Sequence, residues 1–130
     1  MQQIKNPKRP IRVGLGSDIG AGTRFSLLET MGDAYKVSAL TAYPLDAAKL
    51  FYLATRGGAE ILGIADYVGS IEIGKEADLV VLDTHATPLL SYRSQQADSL
   101  LGDDRAVRAT YIGGELAYSR PSQQGVSFEE

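Results

Sequence analysis

The chain has 130 residues, a formal net charge of −3 and no cysteine. This length suffices for one domain with an apolar core. The acidic balance argues against nucleic acid as a main partner, and the lack of cysteine excludes disulfides, thiolate metal sites and a cysteine nucleophile. No apolar run reaches the ~18 residues of a membrane span, and the N-terminal sequence lacks the apolar segment of a signal peptide. We therefore expect neither membrane nor nucleic acid as a partner, and a cytoplasmic location.

One short strand is predicted near the start, over residues 11–15, where apolar side chains follow Pro10. No second strand is predicted in the first half of the chain. A strand buried alone would leave its backbone donors and acceptors without partners. The sequence therefore predicts that residues 11–15 pair with the second half of this chain, with another chain, or with sequence that is not present here.

Helices are predicted over the rest of the first half. Ser26, with a glutamate three residues later, gives a capping-box pattern before a helix predicted over residues 27–40. Asp46 is expected to cap a second helix, which we expect the Gly57–Gly58 pair to end. A short third helix is predicted over residues 59–62.

Strands are predicted in the second half of the chain. Residues 71–73 alternate between apolar and polar side chains, and residues 79–82 form a compact apolar run. Residues 107–112 and 116–118 flank Gly113–Gly114, a pair typical of a two-residue hairpin turn. The intervening segment, residues 84–104, is polar and predicts irregular structure.

The sequence VGLGSDIGAGT (residues 13–23) places one aspartate, Asp18, among glycines. A phosphate-binding loop is disfavoured, because Ile19 stands where the third glycine of the dinucleotide motif is required and the carboxylate would repel a phosphate. Two interpretations stay open. Asp18 either binds a metal or accepts a proton at the end of a strand, or it only forms a turn and meets solvent.

Longer motifs carry a resemblance to a known family. VGLGSDIGAGT followed by FSLLETMGDAYKV resembles the end of the catalytic barrel of guanine deaminases, which are zinc-dependent members of the amidohydrolase superfamily. ATRGGAEILGIADYVGSIEIGKEADLVVLD is similar to the C-terminal signature of that superfamily. ATPLL and GDDRAVRATYIGGELAYS also resemble guanine deaminases.

The resemblance implies a hydrolytic mechanism in which a hydroxide activated by zinc attacks guanine, so that xanthine and ammonia leave. Asp18 matches the aspartate at the end of the eighth barrel strand, which implies that it is a metal ligand and takes a proton from the attacking water. The family's remaining ligands include a His-x-His pair and further histidines, whereas this chain has only one histidine, His85. The chain thus resembles only the last quarter or so of these proteins, and we expect it to bind no zinc alone.

Four further features are candidates for a site, and each has a simpler interpretation. We expect His85 to be a loop residue rather than a metal ligand, and Lys75 to be a surface lysine rather than a modified metal-bridging one. Arg24 is expected to form a structural ion pair or face solvent rather than approach a substrate. We expect Asp103, Asp104 and Arg105 to be turn and surface charges rather than a second acidic site.

These inferences lead to one main hypothesis. The resemblance implies an α/β fold for the parent family. It places the last barrel strand and its helices in residues 1–65, the C-terminal part of a composite β-sandwich in residues 66–120, and a flexible tail in residues 121–130. The chain by itself is expected to take an α+β arrangement. Its predicted role is the C-terminal portion of a guanine deaminase-like hydrolase, inactive alone, which acts on guanine or a related aminated purine when complete. The alternative is a non-catalytic assembly module, and either interpretation predicts self-association or a partner chain.

Overall fold

The computed structural model describes residues 8, 11–22, 24–41, 43–83 and 103–121. In chain order its elements are α1 (Leu27–Leu40), α2 (Ala47–Ala54), α3 (Arg56–Leu62), β1 (Leu79–Leu82), a 3-10 turn (Asp104–Ala106), β2 (Val107–Ile112) and β3 (Glu115–Ser119). Helices precede strands, which gives the α+β arrangement expected for this chain. The predictions for residues 84–102 and for the tail beyond residue 121 lie outside the described residues. Within the described ranges, no helix is long and apolar enough to cross a bilayer.

Helix α1 begins and ends as predicted. The Ser26 hydroxyl accepts a hydrogen bond from the Glu29 amide at 3.5 Å, which satisfies one of the free donors of the first turn. The Glu29 carboxylate pairs with Arg24 at 3.0 Å. Near the other end of the helix, the buried Ser38 hydroxyl accepts the Leu45 amide at 3.1 Å, so the connection to α2 is held against α1.

Helices α2 and α3 meet at a break that the sequence did not predict. Asp46 caps α2 as predicted, with its carboxylate accepting the Lys49 amide at 2.7 Å. The helix ends at Ala54, and Thr55 leaves the helical region with φ −124° and ψ −99°. The prediction that Gly57–Gly58 ends this helix is wrong, since both glycines lie inside α3.

Close approach of the two helices explains why Gly57 lies inside a helix. A Cβ atom at Gly57 would lie 2.9 Å from the Tyr52 carbonyl oxygen and 2.9 Å from a Tyr52 ring carbon. At Gly58 the nearest such contact is 3.6 Å, an ordinary van der Waals distance. Gly57 therefore lets the first turn of α3 pack against the last turn of α2. Leu50 and Leu53 of α2 are buried, whereas Phe51 is 44% exposed.

The segment that follows α3 forms turns and is held by a lysine. Residues 71–73, which the sequence predicted to alternate like a strand, form no strand, and Ile73 is fully exposed. The Lys75 ammonium donates to the Ala65 carbonyl at 2.6 Å and to the Ser70 hydroxyl at 2.7 Å. The Lys75 side chain is only 11% exposed. The prediction of a surface lysine is therefore wrong. The Lys75 ammonium is bound to these two acceptors instead of to water, and these bonds close the turn.

The strands form one antiparallel sheet in the order β1-β2-β3. The predicted hairpin between β2 and β3 is confirmed, with Gly113 and Gly114 at φ +58° and +84°, the left-handed values that such a turn requires. A bulge shifts the register of β1 against β2 between Val81 and Leu82. Ala106 and Ala109 are buried at this sheet.

An ion-pair network joins the helices to the turn segment. Glu60 accepts the Tyr52 hydroxyl at 2.7 Å and the Arg56 guanidinium at 3.1 Å. Arg56 also pairs with Glu72 at 3.2 Å. The hydrogen bond from Tyr52, followed by that from Arg56, holds the pKa of Glu60 below its ordinary value.

The close contacts at Gly57, which Gly58 lacks, predict that alanine has opposite effects on stability at these two positions. Gly57→Ala should lower the free energy of unfolding by about 1–2 kcal/mol, because overpacking outweighs the gain in helix propensity. Gly58→Ala is the matched control and should raise it by about 0.5–1 kcal/mol. Urea unfolding of the 130-residue chain, followed by circular dichroism, measures both; equal effects would contradict the close approach of α2 and α3.

The hydrogen bonds to Glu60 predict that the stability of the chain depends in part on pH in the acid range. Because its folded pKa lies below that of the unfolded chain, about 4.3, its contribution to stability is present above that value and is lost as pH falls through the folded pKa. We expect Glu60→Gln to be less stable than the parent at pH 6 and to lose less stability between pH 6 and pH 3. Glu115→Gln, at an exposed position on β3, is the control. Parallel stability curves for parent and Glu60→Gln would refute this assignment.

Candidate functional site

Residues 11–16 lead into the turn that carries Asp18. They form no helix or strand and join no sheet among the described residues, so the strand predicted over residues 11–15 does not form there. Instead the segment lies beside α2, and the Leu15 amide donates to the Leu53 carbonyl at 3.0 Å. This bond fixes the segment to α2 three residues before Asp18.

The backbone reverses direction at Asp18. Asp18 has φ +50°, the left-handed value that few residues other than glycine adopt, and its carbonyl accepts the amides of Ala21 and Gly22. Gly22 has no space for a side chain, because a Cβ atom there would collide with the Ser17 carbonyl oxygen. The glycine-rich sequence thus makes a tight turn that exposes Asp18, and no glycine in it is needed to cradle a phosphate.

The Asp18 carboxylate forms no ion pair with a charged group of the described residues. Asp18 is exposed, and its side chain takes part in no hydrogen bond or ion pair with another described residue. Arg24, six residues after Asp18, pairs instead with Glu29, as one of its two simpler interpretations predicted. Asp18 therefore keeps all its lone pairs for a ligand or for water.

The charges before β2 are structural. Asp103 accepts the Arg105 amide at 2.9 Å and a guanidinium nitrogen of Arg105 at 2.6 Å. The bond from the Arg105 side chain holds the pKa of Asp103 below its ordinary value. The prediction that Asp103, Asp104 and Arg105 are turn and surface charges is confirmed. His85 lies outside the described residues.

The donors in the described part of the chain do not fit a complete zinc centre. A catalytic zinc site uses three protein ligands and a water. Nowhere in the described ranges do three or more histidine, cysteine, aspartate or glutamate side chains come together. Asp18 is therefore a single candidate ligand, and any site to which it belongs takes its other ligands from elsewhere.

A groove, which sequence reasoning missed, lies between residues 11–13 and helices α2 and α3. It encloses about 640 Å³. Val13, Leu45, Leu53 and Ile61 supply its apolar walls, and charged groups lie among them: Arg12, Asp46, Lys49 and Glu60. The Lys49 ammonium stands 4.5 Å from the centre of the Tyr52 ring. No signal in the sequence could have found this groove, because it depends on the unpredicted break at Thr55.

Comparison with known proteins places these features in a family. Residues 5–117 match the amidohydrolase family. The chain is 47% identical over 122 residues to guanine deaminase of Escherichia coli, covering 87% of this chain and 28% of that protein. Over 126 residues it is 30% identical to human guanine deaminase, covering 83% of this chain and again 28% of the relative. The chain thus spans little more than a quarter of the length of these relatives.

Solved structures agree with the sequence matches. The E. coli guanine deaminase structure superposes with a TM-score of 0.79 over 85% of this chain and 28% of its own. A zinc-bound adenosine deaminase from Xanthomonas campestris is 35% identical, with a TM-score of 0.55 over 68% of this chain and 20% of its own. The family match covers most of the chain, including Asp18 and the turn held by Lys75. This chain belongs to the amidohydrolase family and, within it, is similar to guanine deaminases.

Proposed function

We propose that this chain supplies the Asp18 carboxylate to a guanine deaminase, which hydrolyses guanine to xanthine and ammonia. The observation that carries the proposal is the 47% identity to E. coli guanine deaminase over 122 residues. That level of identity, across helices, turns and sheet, supports a shared reaction more strongly than fold likeness alone would.

Asp18 is the residue of this chain that we assign to the chemistry. It is exposed and stands on a turn closed by two backbone hydrogen bonds, directly after a short apolar segment, and acidic residues at such turns are where barrel enzymes present catalytic groups. A carboxylate there either donates an oxygen to a metal or accepts a proton from the water that attacks the substrate. Zinc, which the Xanthomonas relative holds, is the metal we propose for the complete site, where it would increase the acidity of that water.

The chain alone should have no deaminase activity. Asp18 is a single ligand, and the described residues provide no group of three. We expect the purified 130-residue chain, supplied with zinc, to convert no guanine to xanthine above the rate without protein. Xanthine formation, followed by ultraviolet absorbance, measures this, with intact E. coli guanine deaminase as the positive control. Turnover by the chain would refute the proposed dependence on outside ligands.

The role of Asp18 can be tested in a protein that supplies those ligands. We define the grafted protein as E. coli guanine deaminase in which this chain replaces the matched segment. In it, Asp18→Asn should lower kcat for guanine at least about 100-fold, the usual cost of losing a proton acceptor or metal-bound group, with an unchanged melting temperature.

Asp66→Asn is the matched control, since Asp66 is also an exposed aspartate on a turn. It should leave kcat within about twofold, as expected for a surface carboxylate without a catalytic role. Full activity of Asp18→Asn would show that Asp18 only forms a turn, and would favour the alternative of an assembly module. A stable grafted protein that has no activity even before mutation would refute the proposed reaction.

A further inference from the structure

Two glycines precede Asp18, and only the first lies against another element of the described chain. A Cβ atom at Gly14 would lie 3.2 Å from the Gly58 Cα atom and 3.3 Å from the end of the Ile61 side chain, both in α3. At Gly16 a Cβ atom would meet nothing within 4 Å. Neither glycine has a left-handed φ, the conformation that other residues rarely adopt. Space, and not backbone conformation, is therefore what favours glycine at position 14.

Gly14 and Leu15 together attach this segment to both α2 and α3. The Gly14 backbone lies against α3, and the Leu15 amide donates to the Leu53 carbonyl of α2 at 3.0 Å. A Cβ atom at Gly14 would also lie 3.6 Å from that same carbonyl oxygen. A bulkier residue at position 14 would therefore push the segment away from the acceptor of its own hydrogen bond.

The attachment is close enough along the chain to decide where the Asp18 carboxylate lies. Asp18 comes four residues after Gly14, and only two residues lie between it and Leu15. The backbone then turns at once, because the Asp18 carbonyl accepts the amides of Ala21 and Gly22. A turn closed by hydrogen bonds moves with the segment that leads into it, so a shift at Gly14 is carried to Asp18.

We propose that Gly14 is a positioning residue, whose close contact with α3 sets the position of the Asp18 carboxylate in the complete site. This inference rests on the proposed function for the reaction that Asp18 serves, whereas the contact itself is a property of the chain. A Cβ atom at Gly14 would require its neighbours to give way by a few tenths of an ångström. Catalytic groups are sensitive to small displacements, since a misplacement of about 1 Å can cost about 100-fold in rate.

Hydrogen exchange of the Leu15 amide, followed by NMR, tests the contact in the free 130-residue chain. Gly14→Ala should lower the protection factor of this amide about 10-fold, because it pushes the segment away from Leu53. Gly16→Ala is the matched control and should change the protection factor by no more than about twofold, because its Cβ atom meets no other atom. An unchanged protection factor in Gly14→Ala, or an equal loss in both variants, would overturn the proposal.

Steady-state kinetics of the grafted protein test the role of Gly14 in the chemistry, in two backgrounds. With Asp18 present, Gly14→Ala should lower kcat for guanine about 5-fold and leave KM within about twofold, as expected when a group that acts in the transition state is displaced. In the Asp18→Asn background the same change should alter the remaining kcat by less than about twofold, because no carboxylate is left to misplace. A residue that only stabilises the fold would lower kcat by the same factor in both backgrounds, and that result would overturn the proposal.

Loss of the positioning role and loss of the proposed reaction give different results. A stable grafted protein that is inactive before mutation would refute the proposed reaction, whereas exchange of the Leu15 amide would still show whether the contact holds the segment. An active grafted protein whose kcat does not respond to Gly14→Ala would overturn the positioning role and leave the proposed reaction supported. If Gly14→Ala prevents folding, its combination with Ile61→Val is the milder variant, with a smaller loss, because it removes the methyl group that the new Cβ atom would meet.

Discussion

Each backbone residue presents an amide and a carbonyl that need partners, and within the described chain one backbone bond, from the Leu15 amide to the Leu53 carbonyl of α2, joins residues 11–16 to another element. That constraint explains several other features of the molecule. The helices pack against one side of the segment, the groove stays open on another, and apolar side chains that a closed fold would cover remain exposed. The local structure is formed, but the surface that would complete it is absent from the described residues.

The elements predicted best from the sequence are those whose signals lie within a few residues. Ser26 and Asp46 cap their helices by bonds to amides three residues away, and Gly113–Gly114 closes a hairpin between adjacent strands. The errors arise where distant residues decide. The break at Thr55 depends on how closely α3 approaches Tyr52, and the burial of Lys75 depends on a carbonyl ten residues earlier. Neither contact has a signature in the local pattern.

For the site, the residues alone gave a choice between a working carboxylate and a turn residue at Asp18. The structure shows that these are not exclusive. Asp18 makes the turn through its backbone, at φ +50° with its carbonyl accepting two amides, while its carboxylate stays unengaged with other described residues. Which groups would complete a metal site with Asp18 was beyond prediction, because catalytic groups of a barrel come from several strands and this sequence has one histidine. The resemblance to guanine deaminases supplied what local chemistry could not.

Residue 16 precedes Asp18 by only two positions, so the contacts of residues 11–16 help to decide where Asp18 lies. The bond between the Leu15 amide and the Leu53 carbonyl fixes this segment against α2. The tight turn at Gly22 then restricts the backbone after Asp18. Features that look like ordinary packing in this chain thus set the position of its one proposed catalytic group.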